Sequence, residues 1–275
     1  MESGRIAVIG AGKMGETLIR AMVATGTVAK DQIIATALRA ERLEQLSGDL
    51  GVPTAVDNRQ AVEGAELVLL CVKPQGADAV LAEIGDVLGP EHLLISILAG
   101  VPTASLEAAL PASVPVVRAM PNTPSLVEAG MTALCGGRFA SRAHLAAAQR
   151  IFDAVGRTVT LDEKHFDAVT GLSASGPAFL YIVIEALAEG GVTVGLPRSI
   201  ATELAAQTCL GAAKMVIETG QHPAVLKDAV TTPAGCTVDG ILKLEEGGLR
   251  VTLIKAIVEA SGRARGLLEA SPEPR

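Results

Sequence analysis

The stretch RIAVIGAGKMG, residues 5–15, decides the fold of the N-terminal half. A short apolar run leads into glycines spaced G-x-G-x-x-G, and the helical pattern KMGETLIRAMVATG begins directly afterwards. In a dinucleotide-binding fold, Gly10 allows the tight turn, Gly12 lets the backbone approach a pyrophosphate, and Gly15 lets helix and strand pack closely. The helix N-terminus then presents free N–H groups to the anion. The alternative is a glycine-rich turn that binds no ligand.

Further apolar runs continue this pattern to about residue 160 and alternate with helical stretches. Continuous apolar strands separated by helices are typical of a parallel sheet that is covered on both faces. We therefore predict an α/β fold whose N-terminal domain, residues 1–162, is a Rossmann-type doubly wound sheet. The predicted strands are RIAVIG, QIIATA, ELVLLCV, HLLISIL, VPVVRAM, MTALCG and RTVTL.

The remainder, residues 163–275, is predicted to be an all-α domain. Helical stretches such as SIATELAAQTCLGAAKMVIETG are apolar nearly all round, which is typical of helices buried in a core or against another chain. Alanine-rich helices would explain part of the 49% hydrophobic content, but a large subunit interface explains it better. We expect a homodimer.

The composition bears on partners and location. A net charge of −7, no Trp and 2% aromatic residues argue against a nucleic-acid surface. The start MESGRIAVIG lacks the features of a signal peptide, and AELVLLCV and AFLYIVIEALA are expected to be too short to span a bilayer. Four separated cysteines indicate reduced thiols rather than disulfides or a metal site. We expect a cytoplasmic protein with neither a membrane nor a nucleic-acid partner.

The end of the second predicted strand favours NADPH over NADH. The sequence ATALRAER has Arg39 and Arg42, and no acid that could accept from a ribose 2′-hydroxyl precedes them. Guanidinium groups suit a 2′-phosphate. The alternative is that both arginines merely belong to the exposed first turn of the next helix. Other candidate contacts at strand ends are Asn58, Cys71–Pro74, Ile97–Gly100, Asn122 and Thr123, each of which could instead cap a helix or shape a turn.

The helical half offers little acid–base apparatus. Lys214 and Tyr181 lie within apolar helices, where packing is the simpler role. A substrate that is already a cation, such as a protonated imine, would need only positioning and a neutral hydrogen-bonding group. The loop TTPAGCT fits this requirement, because backbone N–H groups around 234–237 would bind a carboxylate and Thr237 could face a ring nitrogen. The simpler reading of Thr231 or Thr237 is an N-cap.

Two other functions stay open on residues alone. An NADP-dependent hydroxyacid dehydrogenase would need a catalytic lysine, for which we find no convincing candidate. A nucleotide-binding redox sensor would show no turnover.

The motifs VIGAGKMG, CVKP, RAMPNTP, DAVTGLSASGPAF, LAEGGVTVGLPR, GAAKM and QHPAVLKDAVTTPAGCT, with GILKLEEGGLR, resemble those of the pyrroline-5-carboxylate reductase family over nearly the whole chain. The resemblance implies reduction of L-1-pyrroline-5-carboxylate to L-proline, the last step of proline biosynthesis, by NADPH or less efficiently NADH. It also implies a helical C-terminal dimerisation domain and, in many members, five dimers in a decamer.

The resemblance also implies roles for particular residues. Thr237 would bond the imine nitrogen as the catalytic residue, and Glu163, Thr231, Thr232, Gly235, Cys236 and Thr237 would contact the substrate. The implied cofactor contacts are Gly10, Ala11, Gly12, Lys13, Met14, Ala37, Arg39, Asn58, Cys71, Val72, Lys73, Pro74, Ile97, Leu98 and Ala99. The chain departs from the usual pattern at Ala229, Ala234 and Cys236, which leaves the loop's detailed hydrogen bonds open.

Overall fold

A computed structural model describes residues 4–110, 113–233 and 235–266. The described residues include one eight-stranded sheet in the order β3-β2-β1-β4-β5-β6-β7-β8. Pairing is parallel throughout except between β6 and β7. The strands are β1 Ile6–Ile9, β2 Ile33–Thr36, β3 Thr54–Ala55, β4 Leu67–Leu70, β5 Leu93–Ser96, β6 Val116–Met120, β7 Gly130–Gly136 and β8 Gly156–Thr160.

Two apolar clusters show that the sheet is covered on both faces. Side chains alternate across a strand, so Ile6 and Val8 join one cluster while Ala7 and Ile9 join the other. The first cluster includes Leu18 of α1 and Phe152 of α6, and the second includes residues of α3, α4 and α5. The doubly wound α/β fold is confirmed. The helices of this part are α1 Lys13–Ala24, α2 Ala40–Leu50, α3 Asn58–Glu63, α4 Ala77–Ile84, α5 Thr103–Ala108, α6 Arg142–Asp153 and α7 Phe166–Val169.

The sheet differs from the prediction in two places. The two-residue strand β3 is additional, because so short a segment has no alternating pattern to detect. Strand β7 runs antiparallel to β6, with Arg118 opposite Cys135. Residues 121–129 connect the two strands, and this segment is too short for the crossover that a parallel pair needs.

The second half is helical, as predicted. A π-helical turn at Thr170–Ala174 precedes α8, and α12 ends where the described residues nearly end. The helices are α8 Gly176–Thr193, α9 Arg198–Thr219, α10 Pro223–Ala229, α11 Cys236–Glu246 and α12 Leu249–Arg265.

The chain divides into two compact units. Unit 1 comprises residues 1–174 and 260–275, and unit 2 comprises residues 175–259. Unit 1 carries the sheet and both of its clusters. Buried hydrophobic residues in unit 2 are only Ala188, Ala201 and Ala205 among those described. The division lies beyond the predicted 162/163 boundary, which stays a prediction.

The segment AFLYIVIEALA was predicted to be too short to span a bilayer, and this prediction is wrong. This segment lies within a continuous helical run, Glu163–Thr193, that is long and apolar enough by length and composition alone to cross a membrane. Little of the run is buried, with 11% of its most apolar window buried. Exposed apolar surface of this kind also marks a contact between subunits.

Candidate functional site

The glycine turn has the geometry that the motif predicts. Gly10 has φ of +78°, and a Cβ there would lie 2.5 Å from Val72 Cγ1, so both backbone conformation and space require glycine. A Cβ on Gly12 would meet nothing closer than 3.9 Å. The molecule itself therefore does not require glycine at position 12. A ligand that approaches the backbone would.

Helix α1 begins with open N–H groups. Gly12 caps the helix through its backbone alone, and its carbonyl accepts from the Glu16 N–H at 2.9 Å. The N–H groups of Lys13 and Met14 have no acceptor within the described residues. Open N–H groups and the positive end of a 12-residue helix form a site for a phosphate group.

A chain of hydrogen bonds holds this turn to β2 and α3. Thr36 Oγ1 accepts from the Gly10 N–H at 3.3 Å and donates to Asn58 Oδ1 at 2.6 Å. Asn58 Nδ2 in turn donates to Glu83 Oε2 at 2.9 Å. Asn58 was predicted as a cofactor contact. In this structure its amide supports the turn through Thr36.

The two arginines after β2 differ in their surroundings. Arg42 donates to the carbonyls of Ala11 and Gly12 and pairs with Glu16. Arg39 is exposed and has no side-chain partner in the described ranges. Ala37, two residues before Arg39, is half-buried. Arg39 is therefore the guanidinium of this turn that is free to meet an anion.

The segments after β4 and β5 lie along the same carboxyl edge of the sheet. Backbone N–H groups of Cys71 and Ile97 donate to the carbonyls of Ile9 and Leu70, which fixes both segments to neighbouring strands. The side chain of Leu98 is buried, so a ligand could reach only its backbone. The other predicted contacts here, Val72, Lys73, Pro74, Ile97 and Ala99, are half-buried or exposed.

Asn122, also predicted at this edge, serves unit 1 itself. Its Oδ1 accepts from the Met131 N–H at 2.9 Å, and its Nδ2 donates to the Ser173 carbonyl at 3.1 Å. The side chain thus joins the end of β6 to the start of β7 and to the π-helical turn. Thr123 next to it is exposed.

Glu163 belongs to a cluster within unit 1. Its carboxylate accepts from the Thr103 N–H at 2.7 Å, from Thr103 Oγ1 at 2.6 Å and from the Arg118 guanidinium at 3.1 Å. Arg118 is 4% exposed and also lies over the Phe166 ring. Glu163 therefore caps the first turn of α5 and neutralises a buried cation. Sequence reasoning missed Thr103 and Arg118, because no local pattern joins residues so far apart.

Two of the predicted reduced cysteines have raised pKa values. Desolvation raises the pKa of Cys71 to about 12. Desolvation, together with the Glu163 carboxylate, raises the pKa of Cys135 to about 12 as well. Neither thiol provides a thiolate at neutral pH. Within the described ranges, no group of three or more His, Cys, Asp or Glu residues could hold a metal ion.

The loop before α11 is open at the helix N-terminus. Gly235 precedes the helix, and its own N–H donates to the Thr232 carbonyl at 3.0 Å. In the described part of the chain, the N–H groups of Cys236 and Thr237 have no acceptor. Ala234, predicted to add a further N–H, lies outside the described residues.

The three threonines of this loop differ in what their hydroxyls contact. Thr231 Oγ1 donates to the Lys227 carbonyl at 2.7 Å and is thereby occupied. The hydroxyl of Thr237 has no hydrogen-bond partner among the residues described, and this side chain is half-buried. Thr237 does not cap α11, since the helix has no side-chain cap. Thr232 approaches Gly235 so closely that a Cβ at 235 would clash with it.

Comparison with known proteins agrees with this geometry. Residues 163–267 match the family model described as pyrroline-5-carboxylate reductase dimerisation, and residues 5–100 match one described as NADP oxidoreductase, coenzyme F420-dependent. The chain is 45% identical over 267 residues to the pyrroline-5-carboxylate reductase of Methanosarcina acetivorans, with 97% of this chain and 99% of that protein covered. It is 40% identical to the Arabidopsis thaliana pyrroline-5-carboxylate reductase, with 98% and 97% covered.

Solved structures agree as well. A pyrroline-5-carboxylate reductase from Coxiella burnetii superposes with a TM-score of 0.91 at 37% identity, over 96% of this chain and 98% of that one. The Plasmodium falciparum pyrroline carboxylate reductase with NADP bound has a TM-score of 0.86 at 28% identity, over 97% and 98%. The chain belongs to the pyrroline-5-carboxylate reductase family.

Proposed function

We propose that the protein reduces L-1-pyrroline-5-carboxylate to L-proline, the last step of proline biosynthesis, with NADPH preferred and NADH as the weaker alternative. The relatives' names support the reaction, and a relative with NADP bound supports the cofactor. The observation that carries the proposal for this chain is the loop before α11. Among the described residues, the loop combines two N–H groups that have no acceptor with the half-buried Thr237 hydroxyl, which has no hydrogen-bond partner there, and residues 230–235 include no acidic or basic side chain.

The open N–H groups suit the substrate's carboxylate. Those of Cys236 and Thr237 lie at the positive end of an 11-residue helix, where an anion is stabilised by the helix dipole and by hydrogen bonds. Thr231, Thr232 and Gly235 shape the loop around these groups. We assign Thr231, Thr232, Gly235, Cys236 and Thr237 to substrate binding on this basis.

Thr237 is the residue that we place at the ring nitrogen. A protonated imine carries one N–H, and the Thr237 hydroxyl can accept that hydrogen bond without titrating. When bound, NADPH supplies a hydride ion for the imine carbon. As the new C–H bond forms, the C=N π electrons become the nitrogen lone pair, so the ring needs no proton from a side chain. Positioning and fixed dipoles then suffice for catalysis.

The N-terminal turn suits a dinucleotide. Open N–H groups of Lys13 and Met14 and the space over Gly12 fit a pyrophosphate, and exposed Arg39 fits a 2′-phosphate. We assign Gly10, Ala11, Gly12, Lys13, Met14, Ala37, Arg39, Asn58, Cys71, Val72, Lys73, Pro74, Ile97, Leu98 and Ala99 to cofactor binding. Asn58 acts through Thr36, and Leu98 through its backbone.

For Glu163 we propose a role in support of the substrate site rather than in direct contact with the substrate. The carboxylate already accepts from Thr103 and Arg118, so it can hold the segment after β5 in place. This assignment differs from direct substrate contact, which the family resemblance implies.

The protein is a homo-oligomer, in keeping with its match to a dimerisation family model. We propose that the basic assembly is a homodimer, that five dimers form the decamer implied by the resemblance, and that the protein is cytoplasmic. We also keep 1–162 and 163–275 as the proposed functional domains.

An absorbance assay at 340 nm tests the reaction. NADPH should be consumed when pyrroline-5-carboxylate is added, and NADH should be consumed more slowly. Consumption with a 2-keto acid instead would favour a hydroxyacid dehydrogenase. Cofactor binding without turnover of either compound would favour a nucleotide sensor.

A further inference from the structure

Arg42 contacts the glycine turn through two of its backbone carbonyls. Its Nε donates to the Ala11 carbonyl at 3.1 Å, and one terminal nitrogen donates to the Gly12 carbonyl at 3.3 Å. Arg42 lies in α2, so these bonds join the helix after β2 to the turn after β1. They are the only side-chain hydrogen bonds to the carbonyls of Ala11 and Gly12 within the described residues.

These bonds help to set the direction of the Lys13 N–H, one of the two open N–H groups that would meet a pyrophosphate. The C=O and N–H of a trans peptide point in opposite directions. The Gly12 carbonyl shares its peptide with the Lys13 N–H, which has no acceptor among the described residues. This carbonyl accepts from the Glu16 N–H of α1 as well as from Arg42, so Arg42 adds a second bond that keeps the Lys13 N–H directed away from the Arg42 side chain.

Glu16 holds Arg42 in this position. Its carboxylate accepts from Arg42 at 2.6 Å and from Arg20 at 2.8 Å, and these two arginines lower the pKa of Glu16. The Arg42 side chain is 20% exposed, against 56% for Arg20. To bind Arg42, a phosphate group would have to displace the Glu16 carboxylate and the carbonyls of Ala11 and Gly12. Within the described part of the chain, the Arg39 side chain has no carboxylate or carbonyl partner to displace.

We propose that Arg42 is a positioning residue that orients the pyrophosphate-binding turn for NADPH and NADH alike, and that Arg39 alone discriminates between the two. This inference rests on the cofactor use proposed above. The two neighbouring arginines would then have different roles. Arg42 affects binding of the pyrophosphate, which both cofactors contain. Arg39 affects binding of the 2′-phosphate, which only NADPH carries.

Calorimetric titration of NADP⁺ and NAD⁺ into the intact oligomer tests this without turnover. Arg42→Gln should raise the Kd of both by the same factor, about tenfold, because the hydrogen bonds that orient the turn are lost. Arg39→Gln should raise the Kd of NADP⁺ by about tenfold or more and leave that of NAD⁺ within about twofold. A loss confined to NADP⁺ in Arg42→Gln would make Arg42 a phosphate ligand and overturn the proposal.

Arg20→Gln is the matched control. It removes the other cation paired with Glu16 but no bond to the turn, so both Kd values should stay within about twofold of the parent protein. Arg42→Lys keeps the positive charge but loses the planar guanidinium that donates to both carbonyls, so it should weaken binding of both cofactors as Arg42→Gln does. Full recovery of binding in Arg42→Lys would show that charge alone matters, against the proposal.

Thermal unfolding at one protein concentration separates positioning from folding. A purely structural Arg42 would lower the unfolding midpoint and the fraction of binding-competent protein while leaving Kd unchanged, which would overturn the proposal. Parent protein that binds NADP⁺ but fails to turn over pyrroline-5-carboxylate would sink the proposed function and leave the inference on Arg42 standing.

Discussion

At the scale of single residues, the unpaired hydroxyl of Thr237 is the feature most open to test. Thr237→Ala removes the group that we place at the imine nitrogen, without removing the backbone N–H beside it. We expect turnover to fall about 10- to 100-fold, the loss of one well-placed hydrogen bond worth roughly 1.4 to 2.7 kcal/mol. Steady-state kinetics with saturating NADPH measure this change.

Thr237→Ser is the matched variant, because it keeps the hydroxyl and loses only the methyl group. It should recover most of the turnover that Thr237→Ala loses. Kinetics unchanged from the parent in Thr237→Ala would remove this residue from the mechanism.

The second residue-scale prediction concerns Glu163 and its buried cation. Glu163→Gln keeps an amide oxygen that can accept from the Thr103 N–H, but it leaves the buried Arg118, whose Nε has no partner among the described residues, without a counter-charge. Removing one partner of a buried pair costs about 3 to 5 kcal/mol. Because the Glu163 side chain is 29% exposed, we expect a smaller loss of about 2 kcal/mol. Chemical denaturation at fixed protein concentration measures it.

A neighbouring ion pair provides the control. Lys164 and Asp162 pair at 2.9 Å with side chains 70% and 72% exposed. Solvent screens such a pair, so Lys164→Gln should leave the denaturation midpoint unchanged. An equal effect of the two substitutions would mean that burial of Arg118 does not determine the role of Glu163.

At the scale of elements, two glycines of one turn should respond differently to alanine. Gly10→Ala meets a left-handed backbone and Val72, so we expect it to destabilise the protein. Gly12 has φ of −72° and open space, so Gly12→Ala should leave the thermal midpoint unchanged. Its methyl group would nevertheless occupy the space where a pyrophosphate approaches, and NADP⁺ affinity should fall by about tenfold or more.

The thermal unfolding midpoint of Gly12→Ala and its Kd for NADP⁺ are measured on the same protein preparation. Parent-like binding by Gly12→Ala would argue against a pyrophosphate at this turn.

The same elements show what the sequence can and cannot predict. The apolar strands, the glycine spacing and the helical second half have local sequence signals, so the fold class and the family could be predicted. Both predictions are confirmed. The existence of the short β3 and the direction of β7, whose strand was itself predicted, have no such local signal. The bonds of Thr36 to Asn58, Arg42 to Ala11 and Glu163 to Thr103 join residues 22, 31 and 60 positions apart. Contacts of this kind depend on tertiary packing and no local period reports them.

At the scale of the whole molecule, unit 2 buries too little apolar surface to be stable by itself. Its buried hydrophobic residues within the described ranges are three alanines, whereas large apolar side chains such as Ile182 and Leu204 are 65% and 52% exposed. In a unit of 85 residues, the burial of so small a core stabilises the fold by less than the loss of conformational entropy destabilises it. We expect burial against another copy of the chain to supply the missing core. Assembly and folding of this unit would then be one process.

Leu204→Glu tests this coupling. The substitution replaces an exposed apolar side chain of α9 with a charge that cannot be buried unpaired in an interface. We expect loss of the oligomer in light scattering together with a loss of helical circular dichroism, because the released unit does not stay folded. Gln45→Glu adds the same charge at an exposed position of α2 in unit 1 and should leave the oligomer intact. A fully helical Leu204→Glu monomer at micromolar concentration would separate folding from assembly and contradict the coupling.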